Sequence, residues 1–256
     1  GARRLVFLGD SFTFGEGVRD EHTYAEVTAR TLTTPDTVIE AVNLGVGGYN
    51  TAQASATLKS IGLAFDPAVV VLGYVPNDAE PALFRVDPAS GRPVRRNREA
   101  LIEAEGAPQS PPSTGLYRLR LARLIWQSRT QARLAKQTIA YYQSLYTDDR
   151  EGWKETQRAL RDIMNTCRDR NIPCIVVMFP VLFELNDNYP FEAIHAKVGD
   201  VVRAGDGIFI DLLPALKGLD APSLWVHPTD QHPNERVHAI AGKLVAEALR
   251  AEVAKP

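Results

Sequence analysis

Ser11 follows Gly9 and Asp10 at the end of the apolar run Arg4-Leu5-Val6-Phe7-Leu8, and near the other end of the chain stands Asp230-Gln231-His232-Pro233-Asn234. A serine exposed where a buried strand stops and a histidine with a carboxylate beside it are the parts of nucleophilic catalysis. They supply a hydroxyl to attack, an imidazole to take its proton and an acid to orient the imidazole. Taken alone, Gly9-Asp10-Ser11 equally suits helix capping or a turn, since Asp and Ser after a strand commonly satisfy the backbone donors of the next element. Gly9, Gly15 and Gly17 favour a tight turn with close backbone approach to a substrate.

Five histidines compete for the role of base: His22, His195, His227, His232 and His238. The base needs an orienting carboxylate on its second ring nitrogen, and only His232 has an acid two residues before it and a helix-starting Pro-Asn after it. His227, in the same segment, is the rival, with a substrate-edge or structural imidazole as its other meaning. His238 falls within the last helix, where it packs or faces solvent. Acyl transfer also needs donors about 3 Å from the developing negative charge. Gly47, within Asn43-Leu44-Gly45-Val46-Gly47-Gly48-Tyr49-Asn50, offers a backbone N–H where a side chain would block approach, or simply a tight turn. Asn77, within Gly73-Tyr74-Val75-Pro76-Asn77-Asp78, offers a side-chain amide, or an Asx turn.

The elements that must position these groups are legible from periodicity. Apolar, β-branched runs at 4–8, 37–42, 68–75, 174–179 and 207–212 read as strands. Helical spacing occupies about 21–32, 50–62, 117–146, 151–170 and 190–203, with a closing helix at 234–252. Strands alternating with helices imply a five-stranded parallel sheet in a three-layer α/β/α sandwich. In such sheets ligands bind beyond the carboxyl ends of the strands. Ser11, Gly47 and Asn77 each follow one of the first three strands, so their loops converge on one edge.

Residues 1–256 form one domain, because no linker divides the chain into two compositional regimes. Residues 79–116, rich in Pro, Arg and Gly, read as a long loop leaving strand three beside the site, either a lid or a surface excursion. The added helix at 117–146 sets Leu121, Leu124, Ile125, Ile139, Tyr142 and Tyr146 near one face. Arg118, Arg120, Arg123, Arg129, Arg133 and Lys136 lie largely elsewhere. That basic face is a solvated surface or a dock for an acidic glycan or membrane edge.

Apolar residues at 45% and charged residues at 23% describe a globular chain. With 29 Lys and Arg against 31 Asp and Glu, no overall field draws in nucleic acid. No apolar run is long enough for a transmembrane segment. Strand material begins at residue 3, so Gly1-Ala2 suits a cloning remnant, and a signal peptide or anchor upstream is compatible with this chain. Cys167 and Cys174 fall in no metal-ligand motif and read as buried free thiols or as a disulfide.

Ser11, Gly47, Asn77 and His232, in this order and these contexts, resemble the four blocks of the SGNH (GDSL-type) hydrolase superfamily over essentially the whole chain. The resemblance implies a flavodoxin-like α/β/α fold and carboxylic ester hydrolysis without a cofactor or metal. It implies Ser11 as nucleophile, His232 as base and Asp230 as its orienting acid. The Ser11 N–H, Gly47 N–H and Asn77 amide would form the oxyanion hole, with Asp10 holding the loop. Two departures from the family pattern occur. Its third block usually reads Gly-X-Asn-Asp, whereas Tyr74-Val75-Pro76 separates Gly73 from Asn77 here. Its aspartate usually lies three residues before the histidine, whereas Asp230 lies two before His232, leaving a backbone carbonyl as the other candidate orienter.

No GxSxG elbow is present, against the other large serine hydrolase class. No DxH at the first strand and no histidine cluster support a two-metal phosphoesterase. The expected substrate is a small-molecule or glycan ester of a short acyl or acetyl group. Loops at 12–19, 79–116 and 180–190 would set the acyl length. The alternatives are an O-acyltransferase, in which a sugar or natural-product hydroxyl resolves the acyl-enzyme, and a non-catalytic glycan-binding domain.

Overall fold

The computed structural model describes residues 2–81, 84–86, 93–95, 133 and 135–253. Its centre is β1 (Arg3–Leu8), in which Leu5, Val6, Phe7 and Leu8 are all fully buried. Continuous burial instead of alternation is what a strand covered on both faces requires. In chain order follow α1 (Ser11–Phe14), α2 (Tyr24–Leu32), β2 (Ile39–Asn43), α3 (Thr51–Ser60) and β3 (Val69–Tyr74). Then come β4 (Phe84–Val86), β5 (Pro93–Arg95), helix α4 at 135–145, α5 (Glu151–Arg168) and β6 (Cys174–Met178). The chain continues through α6 (Glu192–Ala204), β7 (Ile208–Asp211), α7 (Leu213–Leu216), β8 (Trp225–His227), β9 (Asp230–Pro233) and α8 (Glu235–Val253).

The main sheet has the order β2-β1-β3-β6-β7, and every pair in it is parallel. Register runs Phe7↔Asn43 and Leu8↔Leu72, so β1, β2 and β3 end nearly level and their following loops meet. This is the flavodoxin-like order, with the switch point between β1 and β3. Helices α2 and α8 pack together as one layer, and α3, α5 and α6 form the other. All five expected strands are present, with ends within two residues of the sequence reading.

Three features differ from the sequence reading or extend it. The chain between β7 and α8 contains a separate antiparallel hairpin, β8–β9, where the sequence suggested only a loop. Within 79–116 the strands β4 and β5 pair antiparallel; the lid reading otherwise falls outside the described residues. The helix expected at 117–146 is described over 135–145, where Ile139, Tyr142 and Leu145 pack on the core. Arg118, Arg120, Arg123 and Arg129 of its basic face lie outside the described residues, whereas Arg133 and Lys136 are exposed. Cys167 and Cys174 are both buried free thiols. Among the described residues no helix is long and apolar enough to cross a membrane.

Candidate active site

The chain leaves β1 at Leu8 and turns at once into α1, a single helical turn. Its N-cap is Asp10, whose carboxylate accepts the Phe12 N–H at 2.9 Å. Capping therefore falls to Asp10, and the Ser11 side chain is left free of that duty. Ser11 Oγ lies 2.9 Å from His232 Nε2.

The loop after β2 is strapped onto this turn. Asn43 Nδ2 donates to Thr13 O at 2.8 Å, Asn43 Oδ1 accepts Gly45 N–H at 3.0 Å, and Val46 N–H donates to Gly9 O at 3.0 Å. Gly45 is obligatory for this approach, because a Cβ there would stand 2.4 Å from the Phe14 nitrogen. Gly47 is different: a Cβ would meet Ser11 Cβ only at 4.0 Å, so its bare backbone borders the serine without crowding it. The sequence reading singled out Gly47 and passed over Gly45, whose role is visible only once two loops are in contact.

Asn77 sits on a 3-10 turn, Pro76–Ala79, directly after β3. Its Nδ2 donates to Asp10 Oδ2 at 3.5 Å, and Oδ1 is buried without a protein partner. The segment Tyr74-Val75-Pro76, two residues longer than the family's usual pattern, is anchored at both sides: Tyr146 Oη donates to Pro76 O at 2.8 Å, and Val75 N–H donates to Asp78 Oδ2 at 2.8 Å. Thr51 Oγ1 donates to the other Asp78 oxygen at 2.9 Å. Burial raises the Asp10 carboxyl above its ordinary value, opposed by the Phe12 N–H, Asn77 and His232. Asp78 is pushed well up, first by burial and then by the charge of Asp10.

His232 and Asp230 both lie on β9, where residues two apart point to the same face. Asp230 Oδ1 is 2.6 Å from His232 Nδ1 and also accepts the His232 backbone N–H at 3.1 Å. Those bonds, the backbone one foremost, hold the Asp230 carboxyl below the usual carboxylate range. An ionised carboxylate only accepts, so Nδ1 carries the ring proton and Nε2 presents a lone pair to Ser11. The shortened spacing, Asp-X-His, thus reaches hydrogen-bond contact because it is read on a strand.

The other histidines are engaged elsewhere. His227 is exposed and bonds Thr229 through Nδ1, to the hydroxyl at 2.8 Å and the N–H at 3.3 Å. His238 is buried and accepts the Tyr24 N–H on Nδ1 at 3.1 Å. Burial lowers its pKa to about 4. His195 joins Asp211 at 2.8 Å.

A cavity of about 280 Å³ opens on Ser11. Its apolar wall is Phe12, Val75, Tyr142, Val181 and Leu182, and its polar wall includes Asn77 and the hairpin residues Thr229 to His232. Loops 12–19 and 180–190 thus contribute as the sequence suggested, whereas Tyr142 of α4 is an unforeseen member. A hydroxyl facing an imidazole lone pair, an ionised acid behind that ring, and a glycine backbone and a carboxamide alongside are equipped for nucleophilic acyl transfer. Among the described residues no group of three or more His, Cys, Asp or Glu is placed to hold a metal ion.

The sequence pattern of the GDSL-like Lipase/Acylhydrolase family matches residues 7–240. The chain belongs to this family. As a GDSL-like acylhydrolase it is, by class, a carboxylic ester hydrolase. The GDSL-type fold recurs in solved structures. TesA aligns with a TM-score of 0.57 at 15% identity, covering 98% of this chain and 99% of that one. A catalytic mutant of Axe2, an acetylxylan esterase from Geobacillus stearothermophilus, aligns at 0.56 and 17% identity over 100% of this chain and 96% of that one. A two-domain esterase active on acetylated mannans aligns at 0.56 and 13% identity, covering 99% of this chain and 50% of that one. At these identities the likeness is one of fold. Among curated proteins no match is found.

Proposed function

We propose that this GDSL-like acylhydrolase cleaves short-chain, foremost acetyl, carboxylic esters through an acyl-enzyme on Ser11. The observation that carries the reading is the continuous path from Ser11 Oγ to His232 Nε2, 2.9 Å, and from His232 Nδ1 to Asp230 Oδ1, 2.6 Å. His232 takes the hydroxyl proton as Ser11 attacks the ester carbonyl. The Ser11 and Gly47 N–H groups and the Asn77 amide stabilise the oxyanion. The alcohol leaves with the proton held by His232, and a water activated by the same ring then releases the acid.

A short acyl group suits a cavity of about 280 Å³ whose apolar wall is only a few side chains deep. The acetylxylan and acetylated-mannan esterases of the same fold point in the same direction. The test is labelling with a fluorophosphonate, followed by rates on p-nitrophenyl esters of increasing length. Wild type should label and hydrolyse acetate fastest, and Ser11→Ala should do neither. Near-normal hydrolysis by Ser11→Ala would sink the proposal. Product that partitions to an added sugar alcohol in place of water would convert the reading to acyl transfer.

A further inference from the structure

Away from Ser11, three side chains repeat the order hydroxyl, imidazole, carboxylate. Tyr189 Oη lies 3.3 Å from His195 Nε2, and His195 Nδ1 lies 2.8 Å from Asp211 Oδ1. Val181 N–H donates to the same Tyr189 oxygen at 3.0 Å. The directions follow from the two ends. Asp211, as a carboxylate, only accepts, and its Oδ1 also receives the Leu213 N–H at 2.9 Å. His195 Nδ1 therefore carries a proton towards Asp211, and its Nε2 is paired with the Tyr189 hydroxyl. Burial raises the Tyr189 phenol far above its ordinary value, which keeps the phenol proton in place.

Held between the Val181 N–H and the His195 ring, the Tyr189 hydroxyl has no attacking role to play. Its surroundings point to support. Tyr189 and His195 are 5% and 2% exposed, so water does not replace a lost partner. Val181 and Leu182, at the head of this chain of bonds, form part of the cavity wall facing Ser11. Leu182 O in turn accepts Trp225 Nε1–H at 2.8 Å, tying the same wall to the hairpin that carries His232. The Tyr189 ring packs edge-on against Phe191 at 5.6 Å, and Phe191 against Tyr142, another wall residue, at 5.6 Å.

We propose that Tyr189, His195 and Asp211 are positioning residues that fix the distance of the Val181–Leu182 wall from Ser11 and thereby set the acyl length the enzyme accepts. The inference rests on the ester-hydrolase reading above. Removing the Tyr189 hydroxyl leaves the Val181 N–H and His195 Nε2 unpaired in a dry interior, and the wall yields outward. A longer acyl chain then fits where it formerly clashed.

The experiment compares wild type, Tyr189→Phe, Asp211→Asn and Asp211→Ala on p-nitrophenyl acetate, butyrate and hexanoate, with hydrogen exchange of the peptide spanning 179–183. One methylene in an apolar pocket discriminates by about 10-fold or more, so the hexanoate-to-acetate ratio of kcat/KM should rise roughly 10-fold in Tyr189→Phe and Asp211→Ala. Exchange at the Val181 amide should quicken in both. Asp211→Asn keeps one acceptor oxygen for His195 and should raise the ratio less than Asp211→Ala does. Should Tyr189→Phe fail to fold, Asp211→Ala carries the test from the relay's half-exposed end. Faster exchange with an unchanged chain-length ratio would overturn the proposal, as would an equal loss of rate on every ester. A wild-type enzyme that neither hydrolyses these esters nor labels with fluorophosphonate would overturn the ester reading itself, and the acyl-length role with it.

Discussion

Asp230 holds His232 by two bonds at once: its Oδ1 takes the ring Nδ1–H at 2.6 Å and the backbone N–H at 3.1 Å. The carboxylate thus fixes the ring's tautomer and the strand that carries it. Asp230→Asn should keep the fold while lowering kcat by about 100- to 10,000-fold with little change in KM, because the carboxamide misorients the ring proton. Steady-state kinetics of the purified variant decide this. A drop confined to KM would point to a binding role.

The same pair predicts a pH profile. A general base must be neutral to accept a proton, so on the proposed mechanism log kcat/KM should fall with slope one on the acid side of the profile. Asp230, held below the usual carboxylate range, stays ionised at and above that range and adds no step there. A profile with no acid limb would remove His232 from the role of base.

Asp10 and Asn77 can be separated by substitution. On the proposed mechanism Asn77→Ala removes one oxyanion donor and should cost about 100- to 1,000-fold in kcat. Asp10→Asn retains a cap for α1, since Asn and Asp serve nearly equally there, so thermal stability should change little. It does alter the partner of the Asn77 amide, and kcat should still fall, by roughly 10-fold or more. Thermal melts run alongside kinetics would distinguish the two effects.

Gly45→Ala tests the contact between the first two loops. The added Cβ would sit 2.4 Å from the Phe14 nitrogen, against backbone with no rotamer to yield. Overpacking of this kind should cost about 1–3 kcal/mol, with α1 displaced and activity lost out of proportion to stability. Gly47→Ala, with ordinary contacts around its Cβ, should leave the melting temperature nearly unchanged.

His238 links stability to pH. Its pKa falls to about 4 in the folded protein, where burial disfavours the charged ring, against about 6.5 in the unfolded chain. Between those values the unfolded state binds the extra proton, so stability declines as pH drops from 6.5 towards 4, by about 3 kcal/mol in all, and levels off below. His238→Gln should flatten that acid slope in denaturant titrations, even where it is less stable at neutral pH.

The five parallel strands were legible because each is a mostly apolar run bounded by polar or glycine-rich segments, as Leu5 to Leu8 illustrate, even where Glu40 interrupts β2. The strand-ending positions of Ser11, Gly47 and Asn77 followed from that pattern. The hairpin β8–β9 was not legible: Asp230-Gln231-His232-Pro233 is polar, short and ends in proline, the composition of a turn. That gap also hid how Asp230 reaches His232 across one residue. His195 and Asp211 escaped notice because sequence proximity was the criterion for an orienting acid, and these two meet across 16 residues. Tyr142 and Gly45 matter through contacts between separate elements, which no local pattern encodes.

The Tyr24 N–H to His238 bond joins α2 and α8 across 214 residues, and α8 follows directly on the strand that carries His232. The serine and the histidine that faces it are therefore made 221 residues apart in synthesis. On the proposed mechanism, a nascent polypeptide folded through α6 holds its serine without the imidazole that takes its proton. Ester turnover during translation would then begin only once β9 has emerged and folded, and would report that event.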